Sequence, residues 1–321
     1  MPQSREDYGA EHFRSVIQRC FPDFPVQSIS YLAEGWSSTV WEVNGSHVFR
    51  FPKRPAIDSG LRKEIRLLPE LAPALPLPIP QFDFVWQGGP EYEGVFVGYP
   101  KLPGVPLLPR EWAALSSPAG GSPQMAEVPR QLGEFLTRLH RFPIARATAL
   151  GAPNGDGGNW RGEYRALLGT VRRLVSPLVG EPARGHLSRT WLEFVDDQAN
   201  FQFEPALIHR DLSGEHILAE PRARSSNDVS DPEGGRITGI IDWEDAAVGD
   251  PAFDLTGLLD YGPEFVHEVL AAYGGPRDGG MLDRARFYRD IAPCHEVLYG
   301  LECDLPQHIA AGLKNLQDTW S

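Results

Sequence analysis

Two stretches decide how this chain reads: ALIHRDLSGEHILAE at residues 206–220 and GIIDWEDAAVGDPAFDLTGLL at residues 239–259. In each, a short apolar run of strand character leads straight into charged residues. The first delivers His209, Asp211 and His216; the second delivers Asp242 directly after Gly239, Ile240 and Ile241. A carboxylate at the end of a buried strand is costly unless it is paired or bound to metal. Mg2+ takes oxygen ligands and is held by one or two carboxylates plus phosphate oxygens, a role that Asp242 fits. Between Asp211 and His216 the residues LSGE can form a tight loop that returns both side chains toward one point. One of them can then accept a proton while the other helps hold metal. Neither a core nor a surface needs two carboxylates and an imidazole gathered at strand ends.

Upstream, Phe13, Val16, Ile17 and Cys20 recur at helical spacing and predict a helix from Tyr8 to Cys20. The runs VQSISYLAE, TVWEV and HVFRF follow as strands, and Asn44-Gly45 marks a hairpin between the last two. DSGLRKEIRLLPEL predicts a helix capped by Asp58 or Ser59, with Leu61, Ile65 and Leu68 on its apolar face. FDFVW and GVFVGY complete a β-β-β-α-β-β order, for which an antiparallel sheet with one helix against it is the simplest solution. The prolines of PKLPGVPLLP, residues 100–109, forbid both helix interior and central strand, so this segment reads as a domain hinge. Beyond it the chain turns helical: QMAEVPRQLGEFLTRLHRF, Tyr164 to Val175, Thr190 to Ala199, and most of the chain after Pro251. Residues 221–235, PRARSSNDVSDPEGG, predict a mobile surface loop. The expected organisation is an α+β, two-lobed chain. Residues 1–100 form a small antiparallel-sheet lobe and residues 101–321 a larger helical lobe, a cleft lying between them.

Composition narrows the function classes. The 321 residues carry 30 Lys and Arg against 43 Asp and Glu, a net charge of −13, which repels nucleic-acid backbones and anionic membranes and draws cationic small molecules into acidic clefts. The apolar runs are short and broken by proline, as in LAPALPLPIP, whereas a membrane span needs about 20 apolar residues. Three cysteines without a CxxC pair give no sign of an extracellular disulfide framework, and a soluble, cytoplasmic monomer is expected. No GxxxxGK[ST] occurs, which removes P-loop kinases.

HRDLSGEHIL resembles the HxDxxxxN catalytic loop of the protein-kinase-like superfamily, with His216 in the place of Asn. IDWEDAAVGDPAFDL resembles the aminoglycoside phosphotransferase form of the metal-binding DFG segment. The nearest resemblance is to aminoglycoside phosphotransferases, in particular the 2″ type. It implies a bilobal protein-kinase-like fold, Asp211 as the catalytic aspartate, and His216 and Asp242 as Mg2+ ligands. It also implies a cation on the third strand that anchors the nucleotide and pairs with Glu64; Arg50 aligns best, with Lys53 the alternative. The phosphate-covering turn would be AEGWSST, using Gly35, Ser37 and Ser38. Val97, Gly98 and Tyr99, in the segment running to Lys101, would present backbone groups to the purine of ATP or GTP.

The implied reaction moves the γ-phosphate of ATP or GTP to a hydroxyl of a small, polycationic acceptor, an aminoglycoside first. Macrolides, choline-like compounds and sugar amines are the alternatives, and a catalytically silent nucleotide-binding pseudokinase is the reading from another class. Acidic residues on the C-terminal helices are the expected acceptor-binding groups: Asp260, Glu264, Glu268, Asp290 and Glu296, with Glu302 beyond them. Other polar and aromatic residues read as structural. His209 bonds the catalytic-loop backbone, Asp250 and Asp254 cap the following helix, Trp36, Trp41, Trp86 and Trp243 pack the core, and Cys294 and Cys303 are buried thiols.

Overall fold

The computed structural model describes residues 8–116, 127–220 and 236–321; the loop expected at 221–235 lies outside the described residues. In chain order the elements begin with α1 (Ala10–Cys20), β1 (Ile29–Glu34), β2 (Ser38–Val43), β3 (His47–Pro52), α2 (Asp58–Leu71), β4 (Phe84–Trp86) and β5 (Phe96–Pro100). There follow β6 (Val105–Pro106), α3 (Pro109–Ser116), α4 (Glu127–His140), α5 (Ile144–Ala149), α6 (Gly157–Leu174) and α7 (Ala183–Asp196). The chain then runs through β7 (Ala206–Ile208), β8 (Ile217–Ala219), β9 (Ile237–Ile240), β10 (Ala247–Gly249), α8 (Pro263–Ala272), α9 (Met281–Cys303) and α10 (Pro306–Trp320).

Two compact units result. The first gathers residues up to Gln131 with Ala149–Ala152 and Glu215–Asp245; the second gathers Leu132–Thr148, Pro153–Gly214 and Ala246–Ser321. The first unit is built on an antiparallel sheet of order β1-β2-β3-β5-β4. Asn44 and Gly45, both left-handed at φ 56° and 65°, turn β2 into β3 as the dipeptide predicts. Register sorts the side chains: Trp41 lies opposite Phe49 and Phe49 opposite Gly98, so these share one face, while Arg50 lies opposite Val97 on the other.

The first face packs Trp41, Phe49, Phe51 and Phe96 against Phe13, Val16 and Ile17 of α1. On the other, Val97 and Val95 cluster with Leu61 and Ile65 of α2. The single covering helix expected from sequence is therefore corrected to two, one on each face. HVFRFP, buried at five of its six positions, is the near-continuous burial of a strand covered on both sides. Gly98 is glycine for the same reason: a Cβ there would stand 2.5 Å from Phe49 Cε1, where the ring now crosses the strand.

Other expectations are amended. The proline segment 100–109 contributes β6, the outer strand of a β6-β8-β9 sheet, with Pro106 at the edge where a missing N–H is tolerated, and the first unit continues past it to Gln131. Asp58 is the first residue of α2 rather than its cap, since Ile57 precedes the helix without a side-chain cap, and the acid there complements the helix dipole. Trp41 and Trp243 are buried and Trp86 is half-buried, but Trp36 is 47% exposed. Cys294 is buried and Cys303 only half-buried, both free thiols.

The second unit pairs β7 with β10 and surrounds them with α5 to α10. Trp160, Tyr164, Trp191, Phe194, Phe287 and Tyr288 fill its core, Phe194 stacking on Phe287 at 3.6 Å between ring centroids. α6 starts earlier than its apolar pattern suggested because Asp156 caps it, accepting from Asn159 N–H.

Candidate active site

β3 carries Arg50 into the first unit on the α2 face, and α2 meets it there with Glu64. Arg50 Nη1 donates to Glu64 Oε2 at 2.8 Å, with both side chains buried. An exposed surface pair is thereby ruled out, and of the two cations the sequence offered, Arg50 is the one bonded to Glu64. Lys53, also buried, lies just past β3, where its N–H donates to the Ser37 carbonyl at 2.8 Å. Arg50 Nη2 reaches Asp242 Oδ1 at 3.3 Å and Glu244 Oε2 at 3.6 Å. One guanidinium thus faces three carboxylates. Burial works against its charge, but Glu64, Asp242, Tyr99 and Glu244 outweigh burial and hold Arg50 firmly protonated.

Glu64 is fully buried and one oxygen, Oε1, lacks a hydrogen-bond partner among the described residues. Burial pushes its carboxyl up to about 7; Arg50 opposes the rise, and Asp242 and Glu244 add to it. Glu244 is raised by burial too, against the Ser37 hydroxyl bond and Arg50. Tyr99, buried behind Arg50, is pushed up to about 12, again chiefly by burial.

Asp242 and His216 meet because of a strand pairing. Ile217, first residue of β8, lies opposite Ile240, last residue of β9. The residue before one antiparallel strand and those after the other therefore become neighbours. Ile241 N–H donates to the His216 carbonyl at 3.0 Å, and His216 Nε2 lies 3.6 Å from Asp242 Oδ2. Asp242 takes a left-handed backbone, φ 65°, which is uncommon for a residue other than glycine and turns the chain sharply at the end of the strand.

Asp211 itself belongs to the second unit, held by a network that the sequence only half announced. His209 is buried and its Nδ1 accepts from Asp211 N–H at 3.3 Å, the backbone role expected for it. Asp254, expected to cap the following helix, lies inside the turn Pro251–Leu255 that Asp250 caps, and its oxygens instead accept from His209 N–H at 2.9 Å and Arg210 N–H at 2.8 Å. His140 Nε2 stands 3.0 Å from the same carboxylate, and His140 Nδ1 stands 2.7 Å from the Tyr273 hydroxyl. Arg210, left-handed at φ 69°, lays its guanidinium over Trp160 and near Glu163. Asp250 caps the turn after it, as expected, by accepting from Ala252 N–H, and also holds Arg284 and Tyr288. Sequence reasoning missed His140 and Tyr273, which lie far from the motif, and Glu244, which lies inside it.

The remaining expected site residues divide. Ser37 and Ser38 occupy the turn into β2 with hydroxyls 3.5 Å apart, and Gly35 N–H donates to the Ser38 carbonyl. Val97 and Gly98 do not offer free backbone for a purine. Each has a ladder partner on both sides, Arg50 and Val85 for Val97, Phe49 and Phe84 for Gly98, so that expectation is corrected. β4 begins opposite Gly98 and runs back toward Phe96, which leaves the strand from Tyr99 onward bordered by β3 alone. In the second unit Glu264 and Glu268 are exposed on α8, and Asp260 is exposed before it. Asp290 is bonded by Arg289 at 2.8 Å, and Glu296 lies 3.5 Å from His308. Among the described residues no helix is long and apolar enough to cross a membrane.

Comparison with known proteins agrees with this geometry. The model of a family described as "Phosphotransferase enzyme family" matches residues 28–288. Viomycin phosphotransferase of Streptomyces vinaceus is 29% identical over 215 residues, a match covering 66% of each chain, so the chain spans about two thirds of that relative's length. The solved GDP and kanamycin complex of APH(2″)-IIIa superposes with a TM-score of 0.84 at 30% identity, over 96% of this chain and 98% of that one. Macrolide 2′-phosphotransferase of Brachybacterium faecium, at 24% identity and a TM-score of 0.70 over 95% and 98% of the two chains, shares the fold. With two motifs, a kinase-like architecture and most of its length matched, the chain belongs to the phosphotransferase enzyme family.

Proposed function

We propose that this protein moves the γ-phosphate of a purine nucleoside triphosphate to a hydroxyl of an aminoglycoside. The observation that carries the reading is the buried Arg50 faced by Glu64, Asp242 and Glu244, with His216 beside Asp242. Asp242 and Glu244 crowd a guanidinium already bonded to Glu64, and a divalent cation favours such a gathering of carboxylates. The donor set suits Mg2+. Mg2+ prefers oxygen ligands, and Asp242 supplies them with the His216 ring 3.6 Å away. Asp242 and His216 would hold the ion, which when bound neutralises charge on the phosphoryl oxygens.

The chain's own residues do the rest. Arg50 contacts nucleotide phosphate, its guanidinium suited to paired contacts with phosphate oxygens. Gly35, Ser37 and Ser38 cover the phosphates from the turn into β2. Asp211 accepts the proton of the acceptor hydroxyl as its oxygen bonds to the γ-phosphorus, and the bond from that phosphorus to the bridging oxygen breaks, releasing nucleoside diphosphate. The transition state is loose, so catalysis is alignment and charge neutralisation, and the network through Asp254 supplies the alignment of Asp211.

For the acceptor, Glu264 and Glu268, exposed on α8, are the carboxylates best able to meet ammonium groups. Asp260 and Asp290 already have a cationic neighbour in Arg289, and Glu296 has one in His308, so these rank below them. Kanamycin bound to the 30%-identical neighbour supports an aminoglycoside, and its GDP supports a guanine nucleotide. The test is nucleotide consumption with Mg2+ and either ATP or GTP, across aminoglycosides, viomycin, macrolides and choline. Turnover stimulated by an aminoglycoside supports the proposal. Stimulation by a macrolide or choline alone overturns the acceptor, and nucleotide binding without turnover overturns the enzyme in favour of a silent binder.

A further inference from the structure

Arg50 shares one nitrogen, Nη2, between two carboxylates: Asp242 at 3.3 Å and Glu244 at 3.6 Å. Asp242 has a second duty toward metal in the reading above, on which this inference rests. A carboxylate drawn toward a metal ion weakens its hold on a neighbouring guanidinium; Glu64 still holds Nη1, so it is Nη2 that needs another anion to keep it aimed. Glu244 is built into that place from three directions. Its carboxylate accepts the Ser37 hydroxyl of the phosphate-covering turn. Its backbone carbonyl accepts Lys63 Nζ from α2 at 2.5 Å. Its Cγ fills a notch in the first turn of α2 that exists only because residue 60 is glycine: a Cβ on Gly60 would stand 2.5 Å from Glu244 Cγ and 3.1 Å from Cδ.

Glycine inside a helix is destabilising relative to alanine, so Gly60 weakens α2 for the sake of what sits against it. We infer that Glu244 is a positioning residue for nucleotide binding, seated in the Gly60 notch so that it fixes both Arg50 and the Ser37 turn while Asp242 is engaged elsewhere. Its action on the reaction runs through Arg50 and Ser37, and its loss weakens nucleotide binding far more than turnover at saturation.

The test is a double-mutant cycle read by GDP titration with Mg2+, steady-state kinetics and thermal unfolding. Glu244→Ala is expected to weaken GDP binding at least about tenfold, with kcat at saturating nucleotide within about threefold of wild type. Glu244→Gln, which keeps an acceptor for Ser37 but loses the charge, is expected to fall between. Gly60→Ala alone is expected to weaken GDP binding as well, by driving Glu244 from its seat. In the Glu244→Ala background the same Gly60→Ala change finds no Cγ to meet, so it leaves GDP affinity where it was and raises the melting temperature. Additive effects of the two substitutions on GDP affinity and melting temperature, or GDP affinity within twofold of wild type in both Glu244 variants, overturn the inference. A wild-type protein that binds no GDP or ATP at all overturns the phosphotransferase reading instead, while the melting temperatures of the four proteins still judge the notch.

Discussion

The two units each bury a carboxylate beside a motif, and they treat it in opposite ways. In the second unit Asp254 is saturated: two backbone N–H groups and the His140 ring converge on it, and it fixes the loop that carries Asp211. In the first unit Glu64 is left short, with one guanidinium shared among three carboxylates and one oxygen bare. A satisfied buried carboxylate is a fixture of the fold. A crowded, under-bonded cluster is instead suited to a ligand, the role proposed for it above. The loop that carries Asp211 is thus braced within the folded chain, whereas the cluster around Arg50 keeps an unmatched carboxylate oxygen among the described residues.

The sharpest way to split the two regions is at Asp211. Asp211→Asn is expected to lower turnover by roughly 10²–10⁴-fold while GDP affinity by titration stays near wild type; unchanged turnover in a folded variant would remove Asp211 from the reaction. Next in size is Asp254→Ala. It strands the N–H groups of His209 and Arg210, and urea unfolding should register a loss of about 2–4 kcal/mol. A loss below that range would mean the loop is held by something else.

Glu64 should respond in the contrary sense. Native Glu64 keeps its proton up to about pH 7, whereas the ordinary carboxyl value is 4.5. Between these values the folded state binds a proton that the unfolded chain has released, so stability declines as pH rises through the window and levels off above it. Glu64→Gln should flatten this decline in melting temperature against pH without nucleotide. An undiminished decline in the variant would assign it to another group. The smallest effect is expected at His216→Asn: an amide oxygen suits Mg2+, so turnover at saturating Mg2+ should remain within about threefold. A loss on the scale of Asp211→Asn would give the imidazole a part in proton transfer.

Much of this was legible in the residues. Strand runs ending in charge placed Asp211 and Asp242, the Asn44-Gly45 dipeptide placed the hairpin, and the family resemblance paired Glu64 with Arg50 or Lys53, of which the structure shows Arg50. The unread portion has physical causes. β8 and β10 are three-residue strands, too short for any periodicity to register, yet β8 is what sets His216 beside Asp242. His140 looks like any polar residue at the end of a helix, and only tertiary contact turns it toward Asp254. The purine-facing expectation for Val97 and Gly98 failed because β4, three residues long, folds back to cover exactly that stretch of β5. The second covering helix was recoverable, since HVFRFP lacks the alternation of a half-exposed strand.

Arg210 and Asp242 remain as residues that hold a backbone shape natural to glycine, at φ 69° and 65°. Such a conformation carries a penalty of about 1 kcal/mol or more for a residue with a side chain, and at Asp242 the proposed metal-holding role excludes the cheaper choice. A screen rewarding heat resistance alone would therefore enrich glycine at both places, and the hardiest survivors would be those that no longer catalyse.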